Sequence, residues 1–260
     1  MANKLEYVNP EGLRVDGRRA NEVRRIRFKM NLFSRADGSA YYEQGNTKVL
    51  AAVYGPREIS RKQQHAEQAA SSGGQEHALI NCQYHMASFS TSGERKQQGV
   101  RTGSRRNAEI SLVIRQTFES VIMTHLFPRT QIDIFMQVLQ ADGGTRCACI
   151  NAASLALLDA GIPMRDFVVS CAAGMIDGHM LADLNYVEDS AGGPDLPVAL
   201  MPNMNKITLL QMDSKLKLES FEPVLNVAVD ACRQIHKTLD AQVKQYMQGL
   251  VEKRGLFSLK

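Results

Sequence analysis

From Ile26 to Leu32 apolar and polar residues alternate (Ile-Arg-Phe-Lys-Met-Asn-Leu), the period-two pattern of a strand with one buried face. Asp37-Gly38 is a turn signal, and Ala40 to Glu43 predicts a second strand. Gly45-Asn46 is another turn, and Thr47 to Tyr54 predicts a third strand ending at Gly55-Pro56. Residues 57–77 are polar and predict a surface loop. Ile80, Cys82, Tyr84 and Met86 alternate as a fourth strand. Ser88 to Ser104 is polar, basic and Gly-containing. Ile110, Val113, Ile114, Thr117, Val121 and Ile122 then recur at helical spacing, with the helix ending before Phe127-Pro128. Ile132 to Leu139 predicts a strand, and the Ala/Leu-rich run from Cys147 to Ala160 a buried helix closed by Gly161 and Pro163. Phe167–Ile176, His179–Asn185 and Ile207–Met212 predict strands, with Asp177-Gly178 as a hairpin turn. Glu219 to Leu250 predicts a long helix with Phe221, Val224, Leu225, Ala228, Cys232, Ile235 and Leu239 on one face. The order predicts an α+β chain in two related halves. No linker divides it, so residues 1–260 are read as a single domain.

Composition narrows the class. The 260 residues are 44% hydrophobic and 22% charged, as in an ordinary globular protein that buries a sizeable core. No run of about 18 apolar residues predicts a membrane span, and the N-terminus has no apolar signal-peptide core. The five cysteines lack zinc spacing and sit mostly in apolar runs, which predicts reduced core thiols. The net charge of +4 says little, but its distribution says more. Residues 1–30 hold eight Lys/Arg against four Asp/Glu, and residues 94–106 hold five against one. Such clusters suit a phosphate-rich partner or form solvated faces.

Three segments could carry chemistry. Gln140-Ala141-Asp142-Gly143-Gly144-Thr145-Arg146 leaves a predicted strand and opens a predicted helix. Its glycines allow close approach, the helix N-terminus favours an anion, and Thr145 and Arg146 add donors. The glycine spacing fits neither a P-loop nor a dinucleotide fingerprint. Arg101-Thr102-Gly103-Ser104-Arg105-Arg106 could hold RNA or free phosphate. Asp183, Glu188, Asp189 and Asp195 could supply a general acid or metal ligands. The ordinary alternatives are a Gly-rich turn, a solvated basic loop and water-facing acids at a strand end. The six histidines show no HExxH spacing, and no GxSxG elbow exists.

Taken together, Arg14-Val15-Asp16-Gly17-Arg18, Gly45-Asn46-Thr47-Lys48-Val49, Arg106-Asn107-Ala108-Glu109-Ile110, Leu139 to Arg146, Asp159 to Asp166 and Ala182-Asp183-Leu184-Asn185 resemble the RNase PH family of phosphorolytic exoribonucleases. Within it, the chain is similar to the catalytic type of exosome ring subunit. The resemblance implies an RNase PH fold of two βαβα-containing halves, related to the second domain of ribosomal protein S5. It implies a six-membered ring with other RNase PH-like subunits, RNA-binding cap subunits, single-stranded RNA as substrate, and inorganic phosphate as co-substrate. Gly144, Thr145, Arg146 and Arg106 match the phosphate-binding positions, Arg105 an RNA-backbone contact joined by Arg101, and Asp183 and Asp189 the two active-site carboxylates. One carboxylate would protonate the departing 3′-oxygen, and the other would hold Mg²⁺ or assist. A eukaryotic member would work in nucleus, nucleolus and cytoplasm. Three alternatives stay open: a catalytically silent ring subunit, a homohexameric tRNA-trimming enzyme, and an RNA-binding module without chemistry.

Overall fold

The computed structural model describes residues 7–58, 77–91, 105–212 and 214–253. Most of the predicted loops at 57–77 and 88–104, Arg101 included, lie outside the described residues.

The first half is a five-stranded sheet built from β1 (Ile26–Met30), β2 (Gly38–Gln44), β3 (Thr47–Glu58), β4 (Leu79–Met86) and β5 (Thr130–Gln140), in the order β1-β2-β3-β5-β4. β1, β2 and β3 form an antiparallel meander. The predicted Gly45-Asn46 turn closes β2 on β3, pairing Gln44 with Thr47. β4 runs parallel to β5, so the chain needs a crossover. Helix α1 (Arg105–Glu119) packs on β4 as part of it, burying Ile110, Ile114 and Phe118.

Helix α2 (Thr145–Asp159) follows β5. Its sequence is apolar on every side, and a helix of that kind must be covered all round. One side packs on β2 and β3, the other on β6 of the second half. Eleven of its residues are buried, so it is the central beam of the molecule. Asn151 near its middle carries polar bonds between the halves, donating to the Tyr42 hydroxyl (3.2 Å) and to the Ser170 carbonyl (2.9 Å).

The second half holds β6 (Val169–Ile176), β7 (His179–Ala182), β8 (Asp195–Met201) and β9 (Lys206–Leu210), in the order β7-β6-β8-β9. Asp177 and Gly178 both take positive φ, as a two-residue hairpin turn demands. The four-residue helix α3 (Tyr186–Asp189) joins β7 towards β8, and the long helix α4 (Leu218–Lys253) covers β6, β7 and β8. Val224, Ala228, Ala231, Cys232, Ile235 and Leu239 form its buried stripe. One hydrophobic cluster runs from the first sheet through α2 to β6, β8 and α4.

The α+β expectation holds, with four local corrections, the first being that the helix expected to carry Val121 and Ile122 ends at Glu119. The strand predicted to reach Asn185 stops at Ala182, because Asp183 turns the backbone to φ 52°. β8 was not expected, and it lies between β6 and β9 although it contains Pro197, a residue usually kept out of central strands. Pro197 is tolerated because β9 begins to pair only at Val198. The helix α3 was also not expected.

Candidate functional site

The Gly-rich segment is held from below. Gly143 (φ 74°) and Gly144 (φ 62°) both take the left-handed conformation. At Gly143 a Cβ would stand 2.5 Å from the Leu184 carbonyl oxygen, so only glycine lets this loop pass the Leu184–Asn185 backbone. Thr47 donates its hydroxyl to the Gly143 carbonyl (2.8 Å) and accepts from the Asp142 N–H (3.2 Å). Gly144 is the N-cap of α2 and offers no side-chain cap. The first N–H groups of α2 therefore have no capping side chain, an anion-favouring arrangement.

A cavity of about 270 Å³ opens at this helix start. Its walls include Arg106 and Ile110 from α1, Gly144, Thr145, Arg146 and Cys147 from α2, Asp189 at the end of α3, and Asp195 and Pro197 from β8. Five residues expected to act together thus meet from distant segments: Arg106, Gly144, Thr145, Arg146 and Asp189. Arg146 donates to the side-chain oxygen of Gln211 (2.7 Å), which ties the cradle to the second sheet. Arg105 is exposed as the first residue of α1.

Asp183 sits differently. It does not line the cavity but lies one layer behind Gly144, with Oδ1 4.0 Å from where a Cβ on Gly144 would be. The residue is 2% exposed. Arg24 grips it side-on: Nη2 donates to Oδ1 (2.7 Å), Nε to Oδ2 (3.0 Å), and the Arg24 backbone N–H also donates to Oδ2 (2.8 Å). Burial pushes the Asp183 carboxyl up, but the Arg24 charge and hydrogen bonds, with one from Gln44, outweigh it and hold the group below the usual carboxylate range.

The N-terminal basic cluster also takes a role that charge alone does not reveal. Arg14 donates to the Ala182 (2.5 Å) and Asp183 (3.1 Å) carbonyls, and Arg18 to the Asp183 carbonyl (3.1 Å). Arg14 also forms a two-pronged ion pair with Glu188, both side chains fully buried. These arginines clamp the segment that carries Asp189. Glu188 is accordingly structural: it closes a capping box with Asn185 on α3 and accepts from Arg14. Asn185-x-x-Glu188 was the sequence signal for α3.

Sequence reasoning missed Arg24, Tyr84 and the place of Asp195 on the cavity wall. Tyr84 is 2% exposed beneath the cradle, where the Thr145 side chain hydrogen-bonds it and Arg106 and Arg146 act on it electrostatically. Burial nevertheless pushes its phenol well up. The alternation that predicted β4 carried no sign of this contact. The five cysteines are free and buried, as expected.

Of the two carboxylates expected to supply an acid and a Mg²⁺ ligand, Asp183 does not fit the ligand's role, because both its oxygens are engaged by Arg24. Among the described residues no group of three or more His, Cys, Asp or Glu side chains gathers as a metal site. No helix among them is long and apolar enough to cross a membrane.

Comparison with known proteins gives the same frame. Residues 22–163 match the family model for domain 1 of the RNase PH, 3′ exoribonuclease family, and residues 166–231 match that for domain 2. The chain is 54% identical over 251 residues to the exosome complex component RRP41 homolog of Arabidopsis thaliana, covering 96% of this chain and 100% of that protein. It is 46% identical over 252 residues to the exosome complex component Rrp41 of Thermococcus kodakarensis, covering 96% of each. Its fold is similar to the crystal structure of rice (Oryza sativa) Rrp46, with a TM-score of 0.73 at 26% identity, covering 88% of this chain and 99% of that one.

Proposed function

The chain belongs to the RNase PH family of 3′ exoribonucleases, and from that premise we propose that it is an exosome-type ring subunit that shortens single-stranded RNA from the 3′ end by phosphorolysis. One observation carries the reading: a single cavity at the uncapped start of α2 collects Arg106, Gly144, Thr145, Arg146 and Asp189. The relatives named as exosome components support the assembly, a six-membered ring with other RNase PH-like subunits and RNA-binding caps. Action in nucleus, nucleolus and cytoplasm belongs to the same proposal. So does treatment of residues 1–260 as one domain, which the hydrophobic cluster spanning both sheets supports.

The chemistry follows from the donor set. Arg106, Arg146, the Thr145 hydroxyl and the α2 N–H groups orient inorganic phosphate in line with the terminal phosphodiester. A phosphate oxygen attacks that phosphorus, and its bond to the 3′-oxygen of the preceding nucleotide breaks. The terminal residue leaves as a nucleoside 5′-diphosphate, and the shortened RNA keeps a 3′-hydroxyl after taking up one proton. Asp189 is the member of the expected carboxylate pair that reaches the cavity, which supports it as the group that delivers that proton. Asp183 acts from behind, by holding Arg24 under the glycine loop. Arg105, exposed at the start of α1, and Arg101 hold the RNA backbone, which carries no base information. No step is routed through Mg²⁺.

The test uses the chain assembled with its RNase PH-like partners, single-stranded RNA, and inorganic phosphate or none. Release of nucleoside diphosphate only with phosphate, lost in Arg146→Ala while the ring still assembles, is the expected result. Release of nucleoside monophosphate without phosphate would overturn phosphorolysis. No release under either condition would make this a structural ring subunit.

A further inference from the structure

We propose that Arg24 is a positioning residue for phosphorolysis: it fixes the glycine loop of the phosphate cradle to the Asp183 segment, so that the two halves of the site keep one relative geometry. The inference rests on the phosphorolytic reading of the cavity and adds to it a residue outside the cavity.

Arg24 comes from the stretch that precedes β1, far in sequence from both parts of the site. Its neighbours Arg25 and Arg27 point to solvent, whereas Arg24 is 8% exposed. Burying a guanidinium is costly unless its donors are matched. Here each nitrogen has a partner. Nε and Nη2 take the Asp183 carboxylate, and Nη1 donates to the Asp142 carbonyl (2.5 Å). Longer contacts run from Nη1 to the Thr47 hydroxyl and from Nη2 to the Gly143 carbonyl (both 3.4 Å). The planar fork thus faces a carboxylate from the second half with one edge and two consecutive loop carbonyls from the first half with the other. Lysine presents one nitrogen on a flexible stem and cannot span both.

The packing around Arg24 is built to hold it. A Cβ on Gly45 would stand 2.5 Å from the Arg24 Cδ, so the β2–β3 turn lies directly on its aliphatic stem. A Cβ on Gly144 would stand 3.4 Å from Nη2, which places the guanidinium under the N-cap of α2. Displacing the fork therefore moves the carbonyls of Asp142 and Gly143, and with them the N–H groups that receive phosphate. Catalytic groups misplaced by about 1 Å lose about a hundredfold in rate. The position is a sensitive one although Arg24 never touches substrate.

The experiment compares Arg24→Lys and Thr47→Val with wild type in the assembled ring. Three quantities are read: the KM for inorganic phosphate against kcat, the affinity for single-stranded RNA, and amide hydrogen exchange of the peptide covering residues 142–146. Arg24→Lys keeps a cation beside Asp183 and loses the bridge. We expect kcat/KM for phosphate to fall about 10–100-fold, RNA affinity to stay within about twofold, and exchange to rise in the 142–146 peptide but not in β5 or the body of α2. Thr47→Val removes the hydroxyl bonds to the loop and the long contact from Arg24 Nη1, keeps the Arg24 bridge to Asp183 and Asp142, and should shift the same quantities in the same direction by less. Unchanged exchange at 142–146 in Arg24→Lys, or a rise spread evenly through the core, would overturn the positioning role. A wild-type ring that releases no nucleoside diphosphate would instead overturn phosphorolysis. The exchange measurement, with and without inorganic phosphate, would still decide whether Arg24 orders the loop.

Discussion

Gly143 and Gly144 are adjacent, share the left-handed conformation, and should respond very differently to alanine. Placing a non-glycine residue in that conformation costs about 1–2 kcal/mol by itself. At Gly144 little else is added: the new methyl would lie 3.4 Å from the Arg24 Nη2 and 4.0 Å from Asp183 Oδ1, both ordinary contacts. Gly144→Ala is therefore expected to lose about 1–2 kcal/mol of stability and to stay within about tenfold of wild-type phosphorolysis, since the loop keeps its place. At Gly143 the methyl would lie 2.5 Å from the Leu184 carbonyl oxygen and 2.7 Å from the Asn185 carbonyl carbon. These are backbone atoms that no side-chain rotation can relieve. The loop and the Leu184–Asn185 segment must part by roughly 0.9 Å to restore contact at 3.4 Å. Overpacking of this kind adds about 1–3 kcal/mol, for a total of about 2–5 kcal/mol. The separation also moves Asp189 away from the proposed phosphate site, and a shift of about 1 Å costs about a hundredfold in rate. Urea unfolding of each variant measures the first quantity. Nucleoside diphosphate release by the assembled ring, with RNA and phosphate saturating, measures the second. Equal stability and equal activity of the two variants would refute the argument that Gly143 is required for the approach of the two segments.

The remaining expectations concern the buried charges and thiols. Arg14→Ala removes one member of a fully buried ion pair and leaves Glu188 unmatched, so urea unfolding should show a loss of about 3–5 kcal/mol; a loss under about 1 kcal/mol would show that the clamp is not structural. Asp183 is held below its usual pKa in the fold by Arg24, against the opposing effect of burial. Its ion-pair contribution is complete above the unfolded value of about 3.9 and fades as pH falls through the lower folded value. Asp183→Asn should therefore flatten the acid-side decline of stability below about pH 4, and an unchanged acid limb would count against the pair. Burial pushes the Cys82 and Cys147 thiols up to about 12. Iodoacetamide at pH 8 should leave the native protein unlabelled and label all five cysteines once it is unfolded; labelling of the native protein at the rate of a free thiol would contradict their burial.

Local pattern made the strands legible wherever one face is buried and the other is not. The alternation Ile26-Arg27-Phe28-Lys29-Met30 is a direct record of that condition, and β1 occupies those residues. The same logic failed at β8. Asp195–Met201 is buried along nearly its whole length, so it shows no alternation, and Pro197 masks what remains. The glycine loop was legible for another reason: its parts, Asp142 to Arg146, are contiguous, and glycines followed by two donors at a helix start suit an anion as well as a plain turn. Arg106 and Asp189 joined it through resemblance, and the fold then brought them to one cavity.

Charge was legible as composition but not as placement. Arg14, Arg18, Arg24, Arg25 and Arg27 form one basic stretch in the sequence, and nothing local separates the first three from the last two. The fold separates them completely. Arg25 and Arg27 meet solvent, whereas Arg14, Arg18 and Arg24 reach more than 150 residues along the chain to Ala182, Asp183 and Glu188. A guanidinium turns inward where most of its donors find acceptors (Arg18 Nη2 has only the Glu188 carboxylate at 3.9 Å), and that depends on where a distant carboxylate and a set of loop carbonyls end up. The fold divides the acidic set as well. Arg14 and Arg24 grip Glu188 and Asp183 behind the cavity, while Asp189 and Asp195 stand on its wall. Which acid becomes a support and which lines the cavity is therefore set by long-range packing and not by the local sequence.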